Sequence, residues 1–467
     1  MLTVKNPATG EIAYEVPYGN QEHVNQAIQA ATDAFSKWSK TTALERSNFL
    51  AAVAGKMKDN KEFLASVITK EMGKTISDAR GEVQMAADYF QWFSEQAKRV
   101  YGETVPANDV SKRTMVIKKP VGVVGAITPW NFPVAMVARK VAPALAAGCT
   151  VVLKPASQSP QSAIELCKLF DEVGIPAGVL NVVTAKSSMV SDVMMNSQAI
   201  RKITFTGSTE VGKQLLEGAA KTVKHVSMEL GGHAPFIVFD DADIDDAIDG
   251  VLKSKYRCSG QMCTATNRIH VQSSIAELFS QKLADRVSSL HVGNGINEES
   301  EVGPLVDQQA IAKVEAQVAD AVQKGASILT GGKRLSENEF AKGNFFAPTV
   351  LKNVNQDMNI YTEETFGPVA PIITFENEEE LLLQVNHAEY GLASYMYTND
   401  MSRIIRMTDA LEYGMVGVND PLPFTVQAPF GGTKESGVGK EGGHQGIDEY
   451  LEEKMISIRF KNTVPTN

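Results

Sequence analysis

The chain has 467 residues, of which 43% are hydrophobic and 21% charged, and its formal net charge is -10. This length predicts two or three domains with a large apolar core. The acidic balance and the lack of a basic run exclude a protein that tracks a nucleic-acid backbone, so any anion site must be built locally from arginines.

Cysteine usage and hydropathy indicate the compartment. Four cysteines are too few for a disulfide framework in a chain of this length. The N-terminus lacks the basic and apolar segments of a signal peptide. The longest apolar stretch, residues 141–153, is shorter than the roughly 20 residues of a membrane span and contains Pro143 and Gly148. We therefore expect a cytoplasmic protein with reduced thiols and no membrane or nucleic-acid partner.

The first hundred residues predict helices. Val24, Ile28, Ala31, Phe35 and Trp38 recur at steps of four and three, which places them on one helical face that packs into the core. The segment RTMVIKKPVGVVGAIT then shows strand alternation, first half-exposed and then buried.

Short apolar strands and helical segments alternate after this point. CTVVLKP precedes SAIELCKLFDEVG, IRKITFTG precedes STEVGKQLLEGAA, and HAPFIVFDDADIDDAIDGVL repeats the pattern. Such alternation indicates parallel βαβ units and a doubly wound sheet. A second βα set begins near NRIHVQSS, and EEKMISIRF is a late strand far from the others in sequence.

The segment ITFTGSTEVGKQ has the pattern of a phosphate-binding turn. Gly207 allows a tight turn, Ser208 is a good N-cap, and Gly212 lets the helix pack near the sheet, so free N–H groups can face a phosphate. It lacks the G-x-G-x-x-G spacing, and Gln214 replaces the hydroxyl of a Walker A loop, which excludes a P-loop NTPase. Taken alone, a plain βα turn remains an equal alternative.

Glu229 ends an apolar strand in VSMELGGHAPFIVF. A carboxylate there is costly unless it is solvated or paired. It is either bonded to nearby backbone amides or a general base whose pKa is raised by burial.

Asn131 stands between two prolines in TPWNFP. Its amide can donate to a developing oxyanion. The alternative, favoured on this motif alone, is that it satisfies the backbone of its own turn.

The loop YRCSGQMCTATNR contains Cys258 and Cys263. Zinc is excluded because no second Cys/His pair lies nearby, so no metal is expected. A polar, glycine-flanked loop suits a nucleophilic thiol at Cys263, whereas Cys149 and Cys167 lie in apolar settings typical of a core.

Together these motifs resemble the aldehyde dehydrogenase superfamily along essentially the whole chain, and within it the bacterial succinate-semialdehyde dehydrogenases. TPWNFP, LKPAS, FTGSTEVG, MELGGHAP, GQMCTATNR, EETFGPV and PFGG occur in the family's order. The resemblance implies an α/β fold in three parts. These are a doubly wound cofactor domain (residues 1–106 and 121–230), a catalytic α/β domain (231–432) and a small oligomerisation sheet (107–120 and 433–467).

The resemblance also implies the catalytic roles. Cys263 matches the nucleophile, Glu229 the general base and Asn131 the oxyanion donor. Attack on an aldehyde would give a thiohemiacetal, hydride transfer a thioester, and hydrolysis the acid. Lys140 and Glu441 match positions that relay the proton outward.

The cofactor implied is NADP, with NAD possible. Ser157 stands where NAD-specific relatives carry a glutamate. With Lys154 it would bind a 2′-phosphate by offering a hydroxyl donor and a positive charge. The cofactor residues implied by the resemblance are Trp130, Lys154, Ser157, Gly207, Ser208, Gly212, Glu364 and Phe366.

The substrate implied is a small aldehyde with a distal carboxylate. Arg139 and Arg257 match the arginines of succinate-semialdehyde enzymes, although each alone could be a surface ion pair. Phe424, beside Thr425, stands where close relatives often have a serine, and it would narrow the mouth near Phe430. A different small or aromatic aldehyde is the alternative substrate.

Three further expectations follow from the resemblance. Cys258 is a candidate redox partner of Cys263, against the alternative of a buried packing residue; many relatives instead carry a cysteine at the position of Ala265. The presence of Cys263, Glu229 and Asn131 argues against a non-catalytic paralogue, and Glu229 argues against a CoA-acylating branch. A homodimer or homotetramer is expected.

Overall fold

The computed structural model describes residues 1–460. Residues 461–467, the end of the predicted oligomerisation segment, lie outside the described residues. The chain is a mixture of helices and largely parallel sheets, which confirms the predicted α/β class.

The helices of residues 1–460 are, in chain order, α1 Gln21–Trp38, α2 Ala43–Asp59, α3 Lys61–Met72, α4 Ile76–Gln96, α5 Ala135–Ala147, α6 Pro160–Glu172, α7 Ser187–Asn196, α8 Thr209–Ala220, α9 Ile244–Val251, α10 Ser273–Ser288, α11 Gln308–Gln323, α12 Asn359–Thr362, α13 Glu378–Asn386, α14 Met401–Ala410 and α15 Gln445–Asp448. The strands are β1 Leu2–Lys5, β2 Ile12–Val16, β3 Glu103–Val105, β4 Lys112–Pro120, β5 Val123–Ile127, β6 Thr150–Lys154, β7 Leu180–Val182, β8 Ile200–Thr206, β9 His225–Glu229, β10 Ala234–Val238, β11 Thr266–Gln272, β12 Ser327–Thr330, β13 Arg334–Leu335, β14 Phe345–Phe346, β15 Thr349–Lys352, β16 Val369–Phe375, β17 Tyr390–Gly391, β18 Ala393–Tyr397, β19 Met415–Val418, β20 Pro429–Phe430, β21 Thr433–Lys434, β22 Gly437–Val438, β23 Glu441–Gly442 and β24 Leu451–Arg459.

The first large sheet has the order β22-β9-β8-β5-β6-β7. Its strands are parallel except β22, which pairs antiparallel with β9. Side chains on the two faces of β5 pack into two different apolar clusters. Val124 and Ala126 belong to one cluster, and Val123 and Ile127 belong to the other. Helices therefore cover both faces, as in a doubly wound sheet.

The second large sheet has the order β12-β15-β16-β11-β10-β18-β19 and is parallel except at the β12–β15 pair. A third, antiparallel sheet has the order β24-β4-β3. Two details differ from the predicted segments. β3 begins at Glu103, before residue 107, and β22 leaves the C-terminal segment to join the first sheet.

The N-terminal region is mostly helical, as its periodicity predicts. Val24, Ile28, Ala31 and Trp38 are buried along α1. The first sixteen residues differ, because β1 and β2 pair as a hairpin before α1 begins. These strands are too short for their alternation to stand out against a helical pattern.

Parallel strands position the functional loops. β5, β8 and β9 are neighbours that run in the same direction, so their carboxyl ends meet at one edge of the sheet. The loop with Asn131 follows β5, Gly207 and Ser208 follow β8, and Glu229 is the last residue of β9.

Candidate active site

A cavity of about 550 Å³ is lined by loops that follow strands of both large sheets. The residues predicted for catalysis or substrate binding that line it are Cys263, Asn131, Arg139, Arg257, Phe424 and Phe430. Those predicted for cofactor binding that line it are Trp130, Gly207, Ser208, Glu364 and Phe366. Residues of both predicted groups therefore line the same cavity.

The remaining predicted residues lie around this cavity. Lys154 is buried at the end of β6 and donates to Ser187 Oγ at 2.7 Å, and burial lowers its pKa to about 8. Ser157 follows in the next loop and is half-buried. Gly212 allows α8 to approach the sheet, since a Cβ there would lie 2.4 Å from Leu230 Cδ2. Thr425 lines a neighbouring groove instead.

The nucleophile loop has an unusual backbone. Cys258 and Ser259 have φ values of 52° and 56°, in the left-handed region that costs non-glycine residues energy. Asp78 of α4 holds this turn, because its Oδ2 accepts from Cys258 N and its Oδ1 from Arg257 Nε, both at 2.8 Å. Gly232 lets the backbone after β9 lie close to the nucleophile loop, since a Cβ there would lie 2.4 Å from the Cys263 carbonyl oxygen.

The two cysteines of the loop have different surroundings. Cys258 is 1% exposed and packs with Met72, Met262 and Ala265, whereas Cys263 lines the cavity. Burial and then the Glu229 carboxylate raise the pKa of the Cys263 thiol above its ordinary value, while Arg139 opposes them. Cys263 therefore needs a proton acceptor at the moment of attack. Both thiols are free, and a disulfide between them stays a prediction.

Asn131 spans the gap between its own turn and the nucleophile loop. Its Oδ1 accepts from Phe132 N at 3.1 Å, and its Nδ2 donates to Gln261 O at 2.9 Å, two residues before Cys263. The side chain thus satisfies its own turn and also bonds to the nucleophile loop, and both Asn131 and Cys263 line the cavity.

A buried ion pair fixes the start of α5, the helix that carries Arg139 and Lys140. Glu82 Oε1 accepts from the backbone N–H groups of Val134 and Ala135 at 2.8 and 3.1 Å, which caps an N-terminus that has no cap of its own. Lys74 Nζ lies 2.7 Å from Glu82 Oε2, and both side chains are fully buried.

Glu229 is 4% exposed. Neither of its carboxylate oxygens has a hydrogen-bond partner among residues 1–460, so it is not the amide-bonded glutamate of the structural alternative. Burial, followed by the Glu441 carboxylate, raises its pKa to about 8. It is therefore a carboxylate able to take a proton near neutral pH.

Glu441 joins two cations of α5. Its Oε1 pairs with Lys140 Nζ, and its Oε2 lies 3.0 Å from Arg139 Nε without an aligned hydrogen bond. Burial alone would raise the pKa of Glu441, but Lys140 and Arg139 outweigh it and the pKa is lowered. Lys140 Nζ also donates to Thr206 Oγ1 at 2.6 Å.

The cavity contains residues that the sequence analysis did not single out. Met85 and Tyr89 of α4, Lys313 of α11 and Tyr395 of β18 line it. In the sequence they look like ordinary core or surface positions of helices and strands, because only the tertiary fold turns them toward the site.

The sequence profile of the aldehyde dehydrogenase family matches residues 1–456. The chain belongs to this family. The family predicted from the motifs is thereby confirmed, and aldehyde dehydrogenase chemistry is the activity that the family supports.

The chain is similar to several named relatives and solved structures. A glutarate-semialdehyde dehydrogenase of Pseudomonas putida is 50% identical over 98% of this chain and 94% of its own. The NADP(+) succinate-semialdehyde dehydrogenase GabD of Escherichia coli is 48% identical, with 98% and 94% covered. A crystal structure of an aldehyde dehydrogenase from Brucella melitensis biovar abortus matches with a TM-score of 0.96, 48% identity, and 99% and 94% covered.

Among the described residues of this aldehyde dehydrogenase, no helix has both the length and the apolar character needed to cross a membrane.

Proposed function

We propose that the enzyme oxidises an aldehyde with a distal carboxylate, succinic semialdehyde, to the corresponding acid. The proposal is carried by Arg139, a cavity-lining arginine that is 3% exposed and whose Nη2 has no hydrogen-bond partner among residues 1–460. Glu441 Oε2 lies 3.0 Å from its Nε, but the donors at Nη2 have no partner, and a buried donor without a partner is costly. The carboxylate of the substrate supplies that partner.

Aromatic and acidic neighbours fix the orientation of Arg139. Its guanidinium carbon lies 3.6 Å from the centroid of Phe430 and 5.7 Å from that of Tyr89. Such stacking covers the face of the guanidinium and leaves its edge for in-plane hydrogen bonds.

Arg257 provides a second cationic group at the cavity. Asp78 engages its Nε, and the terminal nitrogens form no hydrogen bond within residues 1–460. The side chain is 31% exposed, which places it where a charged substrate would arrive. Two guanidinium groups on one cavity favour an aldehyde that carries a carboxylate at its far end.

The chemistry follows from Cys263 and Asn131, which line the cavity, and from Glu229, which is buried next to the lining residue Leu230. The thiol proton of Cys263 passes to water in the cavity as Sγ attacks the aldehyde carbon, and the amides of Asn131 and of the Cys263 backbone stabilise the oxyanion of the thiohemiacetal. Loss of hydride from this carbon leaves a thioester. Glu229 then takes a proton from water, which attacks the thioester and releases the acid.

The site fits a nicotinamide dinucleotide. The start of α8 carries Ser208, whose Oγ accepts from Val211 N at 3.4 Å as an N-cap, and such helix starts bind phosphate groups. Glu364, whose Oε1 accepts from Gly232 N at 3.2 Å, would bind a ribose hydroxyl beside Phe366. When bound, this cofactor accepts the hydride.

The cofactor preferred is NADP. Ser157 is small and uncharged, and the ammonium of Lys154 lies in the same loop region, so a 2′-phosphate meets no carboxylate there. The E. coli relative is named for NADP(+).

Glutaric semialdehyde is the second candidate substrate, because the P. putida relative is named for it. It is one methylene longer than succinic semialdehyde, a difference worth about 1–3 kcal/mol in an apolar pocket. Assays with both aldehydes at matched concentrations decide between them.

Replacing Arg139 or Arg257 by methionine is expected to raise KM for succinic semialdehyde about 10- to 100-fold, because each change removes a charge-assisted hydrogen bond worth about 1.5–3 kcal/mol. The KM for butyraldehyde, a neutral aldehyde of similar length, should change little. Arg406→Met, at an exposed ion pair with Glu378, is the control. Equal losses on charged and neutral aldehydes would show that the two arginines are structural.

Replacing Ser157 by glutamate is expected to shift the ratio of kcat/KM from NADP toward NAD by about 10- to 100-fold, since a carboxylate repels the 2′-phosphate and accepts from the 2′-hydroxyl. Ser157→Gln adds similar bulk without charge and should give a smaller shift. A wild-type enzyme with much higher kcat/KM for NAD than for NADP would contradict the proposal.

The three-stranded sheet is the proposed oligomer contact of a cytoplasmic homodimer or homotetramer. β24 pairs with β4 through all nine residues, and Met455 on it is 68% exposed. An exposed strand with apolar side chains can be covered by a symmetric copy.

A further inference from the structure

The two amides that would stabilise the oxyanion come from different parts of the fold. Asn131 follows β5 of the first large sheet, whereas Cys263 precedes β11 of the second. One direct hydrogen bond joins their loops, from Asn131 Nδ2 to Gln261 O at 2.9 Å. Catalytic donors must be held within about 0.5 Å of the productive geometry. Further contacts are therefore needed to fix one loop against the other.

A single segment, residues 73–82, contacts both loops, and we call it the brace. It joins α3 to α4 and includes the first two turns of α4. Toward the nucleophile loop, Asp78 Oδ2 accepts from Cys258 N at 2.8 Å. Ser259 Oγ donates to Gly303 O at 2.8 Å, and a Cβ on Gly303 would lie 2.3 Å from a carbonyl oxygen of the brace. The nucleophile loop is thus bonded to the brace and packed against it.

The other side of the brace holds the loop of Asn131. Glu82 Oε1 accepts from the backbone N–H groups of residues 134–135 at 2.8 and 3.1 Å. Lys74 Nζ donates to Glu82 Oε2 at 2.7 Å and lies 3.7 Å from the centroid of the Phe132 ring. Phe132 directly follows Asn131, and its N–H donates to Asn131 Oδ1 at 3.1 Å. The brace therefore contacts the backbone and the ring that set the direction of the Asn131 side chain.

The ion pair of the brace is completely enclosed. The side chains of Lys74 and Glu82 are both fully buried. Burial alone would lower the pKa of Lys74, but its acidic neighbours outweigh burial and the pKa is raised, so the ammonium stays charged. Desolvation offsets most of the attraction in such a pair, and its contribution to stability is therefore small. What the pair does supply is one fixed arrangement of the groups bonded to it.

We propose that Lys74 and Glu82 are positioning residues of the oxyanion hole, which hold the Asn131 amide at the separation from Cys263 that the oxyanion requires. Asp78 holds the nucleophile loop against the same brace, so one segment sets the distance between the two amides. Lys74 and Glu82 do not line the cavity, and they act only through the loop of Asn131. The inference rests on the oxyanion role that the proposed function gives to Asn131.

The test uses p-nitrophenyl acetate, an activated ester that acylates Cys263 without aldehyde or cofactor. Sγ bonds to the acetyl carbon, the ester C–O bond breaks, p-nitrophenolate leaves and the thiol proton passes to water. The rate of the p-nitrophenolate burst thus reports a step that passes through an oxyanion. Lys74→Met combined with Glu82→Leu removes the pair without leaving a buried charge unpaired, and it should slow the burst about tenfold or more. Lys74→Met combined with Glu82→Gln keeps an acceptor oxygen and should recover most of the rate.

A double-mutant cycle with Asn131→Ala separates positioning from a general loss of structure. Asn131→Ala alone should slow the burst about 10²- to 10³-fold, because it removes an oxyanion donor. In that background, Lys74→Met with Glu82→Leu should slow the burst by less than a further factor of about two, since the donor that the pair positions is already gone. Multiplicative losses would show that the pair supports only the fold, which overturns the proposal.

Arg46→Met is the matched control, because Arg46 binds the opposite end of α5. Its Nε donates to Ala146 O at 2.9 Å, about 16 Å along the helix from the groups that Glu82 binds. This variant should lower the melting temperature, and its effect on the burst should be the same with and without Asn131. An unchanged burst in Lys74→Met with Glu82→Leu would overturn the proposal. An unchanged burst in Asn131→Ala would overturn it together with the proposed oxyanion donor, whereas failure to oxidise succinic semialdehyde would sink only the proposed substrate.

Discussion

Replacement of Cys263 by alanine is expected to lower aldehyde oxidation by about 10⁴- to 10⁶-fold, the range seen when a covalent nucleophile is removed. No other thiol lines the cavity within the described residues, so none can replace the lost Sγ. Cofactor binding should persist because Ser208, Glu364 and Phe366 are unchanged. The measurement is the rate of NADPH formation, with cofactor affinity determined separately by titration calorimetry.

Cys258→Ala is the control for this experiment. Cys258 belongs to the same loop but does not itself line the cavity and is buried against Met72 and Met262, so its loss should reduce stability modestly and leave turnover near wild type. Substantial turnover in Cys263→Ala, or a comparable loss in Cys258→Ala, would contradict the assignment of the nucleophile.

Replacement of Glu229 by glutamine is expected to slow thioester hydrolysis about 10²- to 10⁴-fold while the first turnover still produces NADPH. Glutamine has nearly the same shape but cannot accept the proton of water. Rapid mixing should therefore show a burst followed by a slow steady state. A variant that loses the burst and the steady state equally would show that Glu229 acts before or during hydride transfer.

The pH dependence follows from the surroundings of Glu229. Burial and the Glu441 carboxylate raise its pKa to about 8, so the ionised fraction, which acts as a base, falls as the pH drops through this value. The hydrolysis rate should rise with pH and level off above about 8. This rise of the hydrolysis rate with pH should disappear in Glu229→Gln. A wild-type hydrolysis rate that stays constant between pH 6 and 9 would contradict the interpretation.

Local patterns predict much of the fold and the chemistry. The strand–turn–helix of β8 and α8, the carboxylate that ends β9 and the polar loop of Cys263 each carry their own signal in neighbouring residues. These signals suffice because the functional loops follow directly from the carboxyl ends of parallel strands.

The supports of the site could not be predicted from the sequence. Asp78 and Glu82 lie on α4 and read as surface acids of an amphipathic helix, yet one holds the left-handed turn at Cys258 and the other caps α5. Their partners are more than fifty residues away along the chain. The pairing of β22 with β9 also depends on tertiary packing and has no local pattern.

The C-terminal segment completes the site, and this has a consequence for biosynthesis. Phe430, β22 and Glu441 follow Arg139, Glu229 and Cys263 in the sequence, and translation from Glu229 to Glu441 takes about 10–40 s at typical rates. Until then, Arg139 and Lys140 have no carboxylate from Glu441 beside them, and unpaired charges oppose burial. We therefore expect the nascent chain to lack activity until β22 and Glu441 dock against β9 and Lys140.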